Sequence, residues 1–439
     1  MKWQRQARDR GLLSRLAVSA TIAIVAAAAT VTGLVASASG GTLTAAMLGP
    51  FTGPDAALGP VFMSGCLPAA REVDAHGGVM GSTVTCKAFD TRGDPADAIP
   101  AADQMIASTK VMAAEGCTSD EAIAVVPIME HAHIPSFCFT GQSEFNKSSF
   151  HYFHRMVPAD EYEAYAMAGI AVYHYHFKRI ALVFGNDIGS QAFVPPLKKV
   201  LPKLGAKVVI SQTLALGQPS YQTEVDQLIQ AKPQVIISEA LGTTEATYVS
   251  ELKQLHGMLP VIVTSGTVDP QFLQGMAAAI GAADLYKYFT MDDFPPTFSG
   301  PAYAAYKSNL LATTPQNPTA SQYLRNTYAE HSYDGIILTA LAMTAAKSTD
   351  GSVYNPWIKK IANGVKGAKT VYTYQAGIAA LKAGKSIRYV GAGGATHFDQ
   401  WNNSNSGYII VKWTAKGAEK QIGVLTQAQT NKMIAYGNA

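Results

Sequence analysis

Thr118, Ser119, Asp120 and Glu121 sit together in GCTSDEAIAVV (116–126), and their types and spacing suit the binding of an anion. Thr118 and Glu121 have the T-x-x-E spacing of a capping box ahead of an apolar helix. Ser119 then falls in the first helical turn, where backbone N–H groups are unpaired and the helix dipole favours a carboxylate. Simple capping explains the same residues, because every helix start needs it. Signs of catalysis are absent: the chain has no G-x-S-x-G, no H-E-x-x-H and no G-x-G-x-x-G after a strand. Gly384-Lys385-Ser386 resembles the end of a phosphate loop, but Ala379 stands where its first Gly belongs. His131 and His133 are two apart, as are His174 and His176, so neither pair shares one helix face for a metal. No catalytic residue, metal site or cofactor is therefore expected.

The loops that would hold a ligand must be positioned by the elements around them. Short apolar runs alternate with helical stretches along the chain. Strands are predicted at 42–48, 83–89, 111–115, 134–138, 179–184, 207–213, 234–238, 260–264, 286–290 and 408–413. Helices are predicted at 60–75, 97–109, 120–132, 160–176, 190–203, 222–231, 244–257, 270–280, 301–311 and 333–347. RIALVF (179–184) and QVIIS (234–238) are almost wholly apolar, as strands covered on both faces of a parallel sheet must be. The alternation predicts an α/β protein with doubly wound, mostly parallel sheets. In such sheets ligands sit outside the carboxyl ends of the strands. The rhythm breaks near 140–158, 291–300 and 393–407.

Residues 1–15 carry Lys2, Arg5, Arg8, Arg10 and Arg15 against Asp9, and 16–38 are uncharged and mostly apolar. Ala36-Ser37-Ala38 ends this stretch with the small residues of a cleavage site, so 1–38 reads as an export signal. An uncleaved anchor is the alternative, because the apolar run is long enough to span a bilayer. Removing these residues takes five positive charges and one negative, and moves the formal net charge from +3 to −1. The apparent basicity thus belongs to the leader, and no nucleic-acid surface is expected. About 400 mature residues exceed one ordinary core, so two lobes are expected. Cys66, Cys86, Cys117 and Cys138 show no zinc spacing. Outside the cytoplasm an even count suggests disulfides. Of three possible pairings, Cys66–Cys86 with Cys117–Cys138 is favoured: Cys66 lies on the helix over the strand that holds Cys86, and Cys117 and Cys138 end successive strands. Buried free thiols are the alternative.

Residues 41–59, GTLTAAMLGPFTGPDAALG, take an apolar strand through a Gly/Pro turn into a helix. They resemble the opening of periplasmic binding proteins of the branched-chain amino-acid (Leu/Ile/Val) type. AREVDAHGGVMG (70–81), FDTRGDPADA (89–98) and GNDIGSQAF (185–193) follow in that family's order. The resemblance implies a two-lobed type I binding-protein fold with three interlobe crossovers. One lobe would comprise 41–156 plus 292–400 and the other 157–291 plus 401–439. It implies a periplasmic or extracellular, monomeric protein that closes on a small organic ligand and serves an ABC permease. A sensory ectodomain on the same fold, and an exported α/β enzyme, are the alternatives.

Ser119 matches the family's ligand-binding Ser, with Thr118 beside it. The resemblance also implies that Thr140, Gln142 and Ser143 in FTGQSEFNKS (139–148) present polar groups to a ligand carboxylate. A polar turn leading to the first crossover is the plainer reading of that segment. The second lobe departs from the pattern. Ile188 and Gly242 or Thr243 stand where the family has aromatics, and Ser265 or Gly266 where it has an acid for the ammonium. Glu239 or Asp269 would compensate on an alignment shifted by one or two places; Asp269 reads better as an N-cap ahead of Pro270. An ammonium buried without a carboxylate is strongly disfavoured. The expected ligand is therefore an organic carboxylate or a neutral, partly aromatic compound rather than a free aliphatic amino acid. Phe51 and Tyr328 would supply apolar walls.

Overall fold

The computed structural model describes residues 40–438, apart from 241–242, 268–269, 294–297, 405–406 and 415–418. Residues 1–38, expected to be an export signal or an anchor, lie outside the described residues. The first sheet contains β1 (Thr42–Gly49), β2 (Thr83–Asp90), β3 (Val111–Thr118), β4 (Ser136–Phe139) and β5 (Phe153–Arg155). Their order is β2-β1-β3-β4-β5, and every neighbouring pair is parallel. β1 has a single exposed residue, Thr42. That burial on both faces is what its apolar sequence required.

The second sheet contains β6 (Arg179–Gly185), β7 (Lys207–Leu214), β8 (Val235–Glu239), β9 (Val261–Val263) and β10 (Phe289–Asp293). A separate parallel ribbon pairs β11 (Lys369–Val371) with β12 (Ile387–Tyr389). β13 (Ile409–Trp413) and β14 (Glu419–Val424) then return to the second sheet, antiparallel at its edge. The full order is β14-β13-β10-β9-β8-β6-β7. The chain leaves the first sheet after β5, comes back after β10 to add the helices Gly300–Ala312 and Thr327–Ala346, and crosses again after β12. Thr327–Ala346 is the spine of this side: it is apolar almost all round and buried from Ala329 through Met343 apart from His331. The fold class inferred from the β-α alternation is thus present, as mixed α/β with mostly parallel sheets.

Several elements differ from the sequence expectation. The strand expected at 286–290 begins three residues later, because Ala282–Tyr288 is a helix. A short apolar run does not distinguish helix from strand by period alone. The single helix expected at 190–203 is two, Ile188–Ala192 and Val194–Lys203. Pro195 and Pro196 lack the N–H that a continuing helix needs, so they suit a new first turn. The helix expected at 160–176 is α-helical only over Asp160–Gly169 and ends in a π turn at Ile170–His174. β5, β11, β12 and β14 and the helices Gly351–Asn363 and Tyr374–Lys382 were not foreseen.

Both favoured disulfides are present. Cys66–Cys86 ties the helix Leu58–Ala75 to β2, with Cα atoms 6.0 Å apart. Cys117–Cys138 ties the ends of β3 and β4, with Cα atoms 4.7 Å apart.

Candidate functional site

The carboxyl ends of both sheets converge on one cleft, whose enclosed volume is about 70 Å³. From the first side come Asp55 in the turn after β1, Thr118, Ser119 and Asp120 at the end of β3, and Phe139 and Gly141 after β4. From the second side come Asp187 and Gly189 after β6, Phe193, Glu239 at the end of β8, and Gly266 after β9. The crossover after β5 supplies Val157, Asp160 and Glu163, and the buried spine helix supplies Tyr328.

The T-x-x-E motif behaves as a carboxylate cap. Thr118 N donates to Glu121 Oε1 at 3.0 Å, and its hydroxyl donates to Oε2 at 2.7 Å. Thr91 adds a third donor at 3.2 Å. Glu121 is fully buried, and burial pushes its pKa up to about 7 despite those donors. Because Thr118 and Glu121 do the capping, Ser119 is left over: its hydroxyl donates to Thr140 Oγ1 at 3.2 Å. A Cβ added to Gly189 would lie 3.4 Å from Ser119 Cβ, so the two rims are in close approach here.

Asp120, the next residue, bridges the rims. Its Oδ1 accepts from Ile188 N at 2.9 Å and Gly189 N at 3.2 Å. Asp187 caps the same short helix, accepting from Ser190 N at 2.7 Å. Asp55 lies beside this pair. Burial and the charges of Asp120 and Asp187 raise its pKa to about 8. Asp120 is also raised, first by burial and then by Asp187.

The opposite end of the cleft holds Asp160, Glu163 and Glu239. Glu163 accepts from Ser265 N at 2.7 Å, and Glu239 accepts from the Thr264 hydroxyl in a short contact. Thr264 and Ser265 directly follow β9, so one turn orients both acids. Burial holds Glu163 up to about 7. Burial raises Glu239 well above the usual carboxylate range, helped by Asp187 and Glu163. Asp160 is raised in the same way by burial and by Glu163, with Arg155 opposing. A Cβ on Gly266 would lie 3.7 Å from Glu239 Oε2 and 4.0 Å from Tyr328 Oη, so these polar atoms share one corner. Tyr328 and Phe139 form the apolar wall, with ring centroids 5.2 Å apart.

The residues expected from sequence are only partly gathered. Thr118, Ser119 and Tyr328 line the cleft. Thr140 and Ser265 are buried directly behind it, each bonded to a lining residue. Gln142, Ser143 and Ile188 line a neighbouring outer pocket of about 410 Å³ instead. The Ile188 side chain is 45% exposed, because its backbone, not its side chain, meets Asp120. Phe51 packs half-buried on the core, with its N–H donating to Asp90 at 2.9 Å. Thr243 is exposed at the start of Thr243–His256. Gly242 and Asp269 lie outside the described residues.

No acid aligns at 265–266, yet two acids reach that turn: Glu163 is bonded to Ser265, and Glu239 lines the cleft beside Gly266. Glu239 was expected there only on a shifted alignment and Glu163 not at all, because each acid comes from another element and meets the turn only in space. Their shared signal was an Asp or Glu at or just after a strand end or at a helix start, which holds for Asp55, Asp120, Asp160, Asp187 and Glu239.

The sequence profile of the periplasmic binding protein family matches residues 42–418. This chain belongs to that family. An amino acid binding protein of Pseudomonas aeruginosa is 24% identical over 193 residues, which is 41% of this chain and 49% of that protein. The chain spans about half the length of the curated relatives it matches. Solved structures show the same fold. A leucine binding protein from Thermotoga maritima superposes with a TM-score of 0.69 at 16% identity, over 89% of this chain and 99% of that one. A solute-binding protein from R. palustris in complex with benzoate gives a TM-score of 0.67 at 14% identity, over 87% and 95% of the two chains. No helix among the described residues is long and apolar enough to cross a membrane.

Proposed function

We propose that this member of the periplasmic binding protein family captures a small organic solute outside the cytoplasm and delivers it, as a monomer, to an ABC permease. The observation that carries the reading is the cleft to which the carboxyl ends of both sheets contribute, bridged by Asp120 to the Ile188 and Gly189 N–H groups. Ligands bind at that place in open α/β sheets, and hinge closure around them is a recurrent motion. The lobes we propose are 41–156 with 292–400 and 157–291 with 401–439, connected by three crossovers. The family is one of binding proteins, and the described lining of the cleft offers acids and hydroxyls with no nucleophile-base pair, which supports binding over catalysis. The acids beside Ser265 and Gly266 give an ammonium the partners that the alignment lacked, so nitrogen-bearing solutes belong among the candidates ahead of organic acids.

Native mass spectrometry of protein purified from its exported pool without denaturation tests this reading. The expected result is one protein chain carrying a small molecule. Small-angle scattering should then show a larger radius of gyration once that molecule is dialysed away. A chain that carries and binds no solute, with unchanged dimensions throughout, would reject solute capture.

A further inference from the structure

The cleft is unbalanced in charge. Six of its sixteen described lining residues are Asp or Glu, and none is Lys, Arg or His. Acidic residues in proximity do not by themselves make a site. Two further observations point to what this one takes.

The first concerns donors. An anionic ligand at a helix start would use the free backbone N–H groups there. On the second rim those of Ile188 and Gly189 are already bonded to Asp120, and that of Ser190 is bonded to Asp187. On that rim the protein's own carboxylates thus occupy the places of a ligand's carboxylate. The second concerns acceptors. Asp160 is 93% buried, lines the cleft, and its Oδ2 has no hydrogen-bond donor among the described residues. A buried carboxylate oxygen without a donor is costly. A donor brought in by the ligand would remove that cost. Among the described residues no group of three or more His, Cys, Asp or Glu is placed to hold a metal ion, so the donor expected is organic.

Resting on the solute-capture reading, we propose that the ligand is a small organic cation, an ammonium or guanidinium on a short aliphatic stem with no acid group of its own. Its cationic nitrogen donates to Asp160 Oδ2 and lies between Glu163 and Glu239. Its stem rests on Phe139 and Tyr328, whose ring faces attract a cation as well as covering the stem.

The groups facing this nitrogen are Glu163, Glu239 and Asp187, with Glu144, Glu161 and Arg155 behind Asp160. Burial pushes Glu163, Glu239 and Asp160 above the usual carboxylate range, which favours their protons when the cleft is empty. A bound cation displaces them, so binding releases protons and tightens as pH rises.

Calorimetry with n-butylamine, 1,4-diaminobutane, butyrate and leucine tests the inference, in two buffers of different ionisation enthalpy. The amine and diamine should bind, with a buffer-dependent enthalpy that reports proton release, and butyrate should not. Asp160→Asn keeps the shape of the site and should weaken diamine binding at least tenfold. The melting temperature of the empty variant verifies that it folds, and Glu163→Gln serves if it does not. Tighter binding of leucine or butyrate than of either amine overturns the cation and leaves solute capture standing. Equal diamine affinity for wild type and Asp160→Asn overturns the assignment of Asp160. Silence from every probe overturns the inference; it reaches the broader reading only if native mass spectrometry also finds no bound solute.

Discussion

The two ends of the cleft treat a buried carboxylate in opposite ways. At one end Asp120 is answered by two N–H groups of the facing rim. At the other, Asp160 Oδ2 is buried with no donor among the described residues. The first arrangement completes itself when the rims meet. The second is completed only by something from outside. The ends also differ in support. Asp120 follows β3, whose end is held to β4 by Cys117–Cys138, whereas Asp160 opens the helix Asp160–Gly169 in a crossover. The closed end is therefore stapled, and the open end hangs on the crossover after β5.

The largest effect that would sharpen this contrast is reduction. The two disulfides close loops with sequence separations of 20 and 21 residues. In the chain-entropy model each stabilises by roughly 3 kcal/mol. Denaturation with and without reductant should show that loss, and hydrogen exchange should place the lost protection in β1 to β4 rather than in β6 to β8. Equal loss in both sheets would mean that the staple does not distinguish the two ends.

Next in size is Asp120→Ala. It removes two charge-assisted hydrogen bonds across the rims, a class worth about 1.5–3 kcal/mol each. Scattering should show a shift toward a more open form. The freed N–H groups of Ile188 and Gly189 should then donate to a small carboxylate, so butyrate binding should appear where the parent protein has none. If butyrate binds the parent and the variant alike, the closed end was never closed to acids.

A third effect comes from pH. Asp55 is raised to about 8, with burial the main cause and Asp120 and Asp187 adding to it, and burial holds Glu121 and Glu163 at about 7. Their ordinary values are 3.8 for Asp and 4.5 for Glu. Between those values and the raised ones the folded protein binds more protons than the unfolded chain, so stability falls as pH rises. The contribution is complete below about 4 and is lost through pH 7–8. The melting temperature of the empty protein should drop by on the order of 5 °C from pH 5.5 to 8.5. A bound cation should reduce that drop, because it takes the protons' place. A melting temperature that rises over this range would contradict the buried state of these acids.

The contrast also marks how far the sequence could be read. The strand ends were legible because apolar runs such as RIALVF and the Gly/Pro turn at 49–54 have short-range signatures. The Asp120 end was half legible: its capping box and Ser119 lie within four consecutive residues. The Asp160 end was not. Asp160 and Glu163 open one helix, Glu239 ends a strand on the second sheet, and Ser265 follows another strand. No local pattern connects them, and Asp is depleted in strands, so Asp292 and Asp293 at the buried end of β10 were equally invisible. Ile188 and Gln142 differ for another reason: their positions match the family pattern, but both residues line the outer pocket.

The smallest effect is expected at Ser119, and it separates the two roles that its position allows. Its helix is capped by Thr118 and Glu121, so Ser119→Ala removes no cap. It removes one neutral bond to Thr140 at 3.2 Å, worth about 1 kcal/mol or less. Thr140 then turns to Gln142, whose amide oxygen already lies 3.5 Å from its hydroxyl, so its own polar group stays satisfied. Stability should therefore change by a few tenths of a kcal/mol at most. Because the hydroxyl also lines the cleft, ligand affinity should fall about three- to tenfold, the change that a lost neutral hydrogen bond produces. Paired calorimetry and thermal melts read both quantities. A lowered melting temperature with unchanged affinity would make Ser119 a structural residue of the closed end, and would leave recognition wholly to the acids at the other.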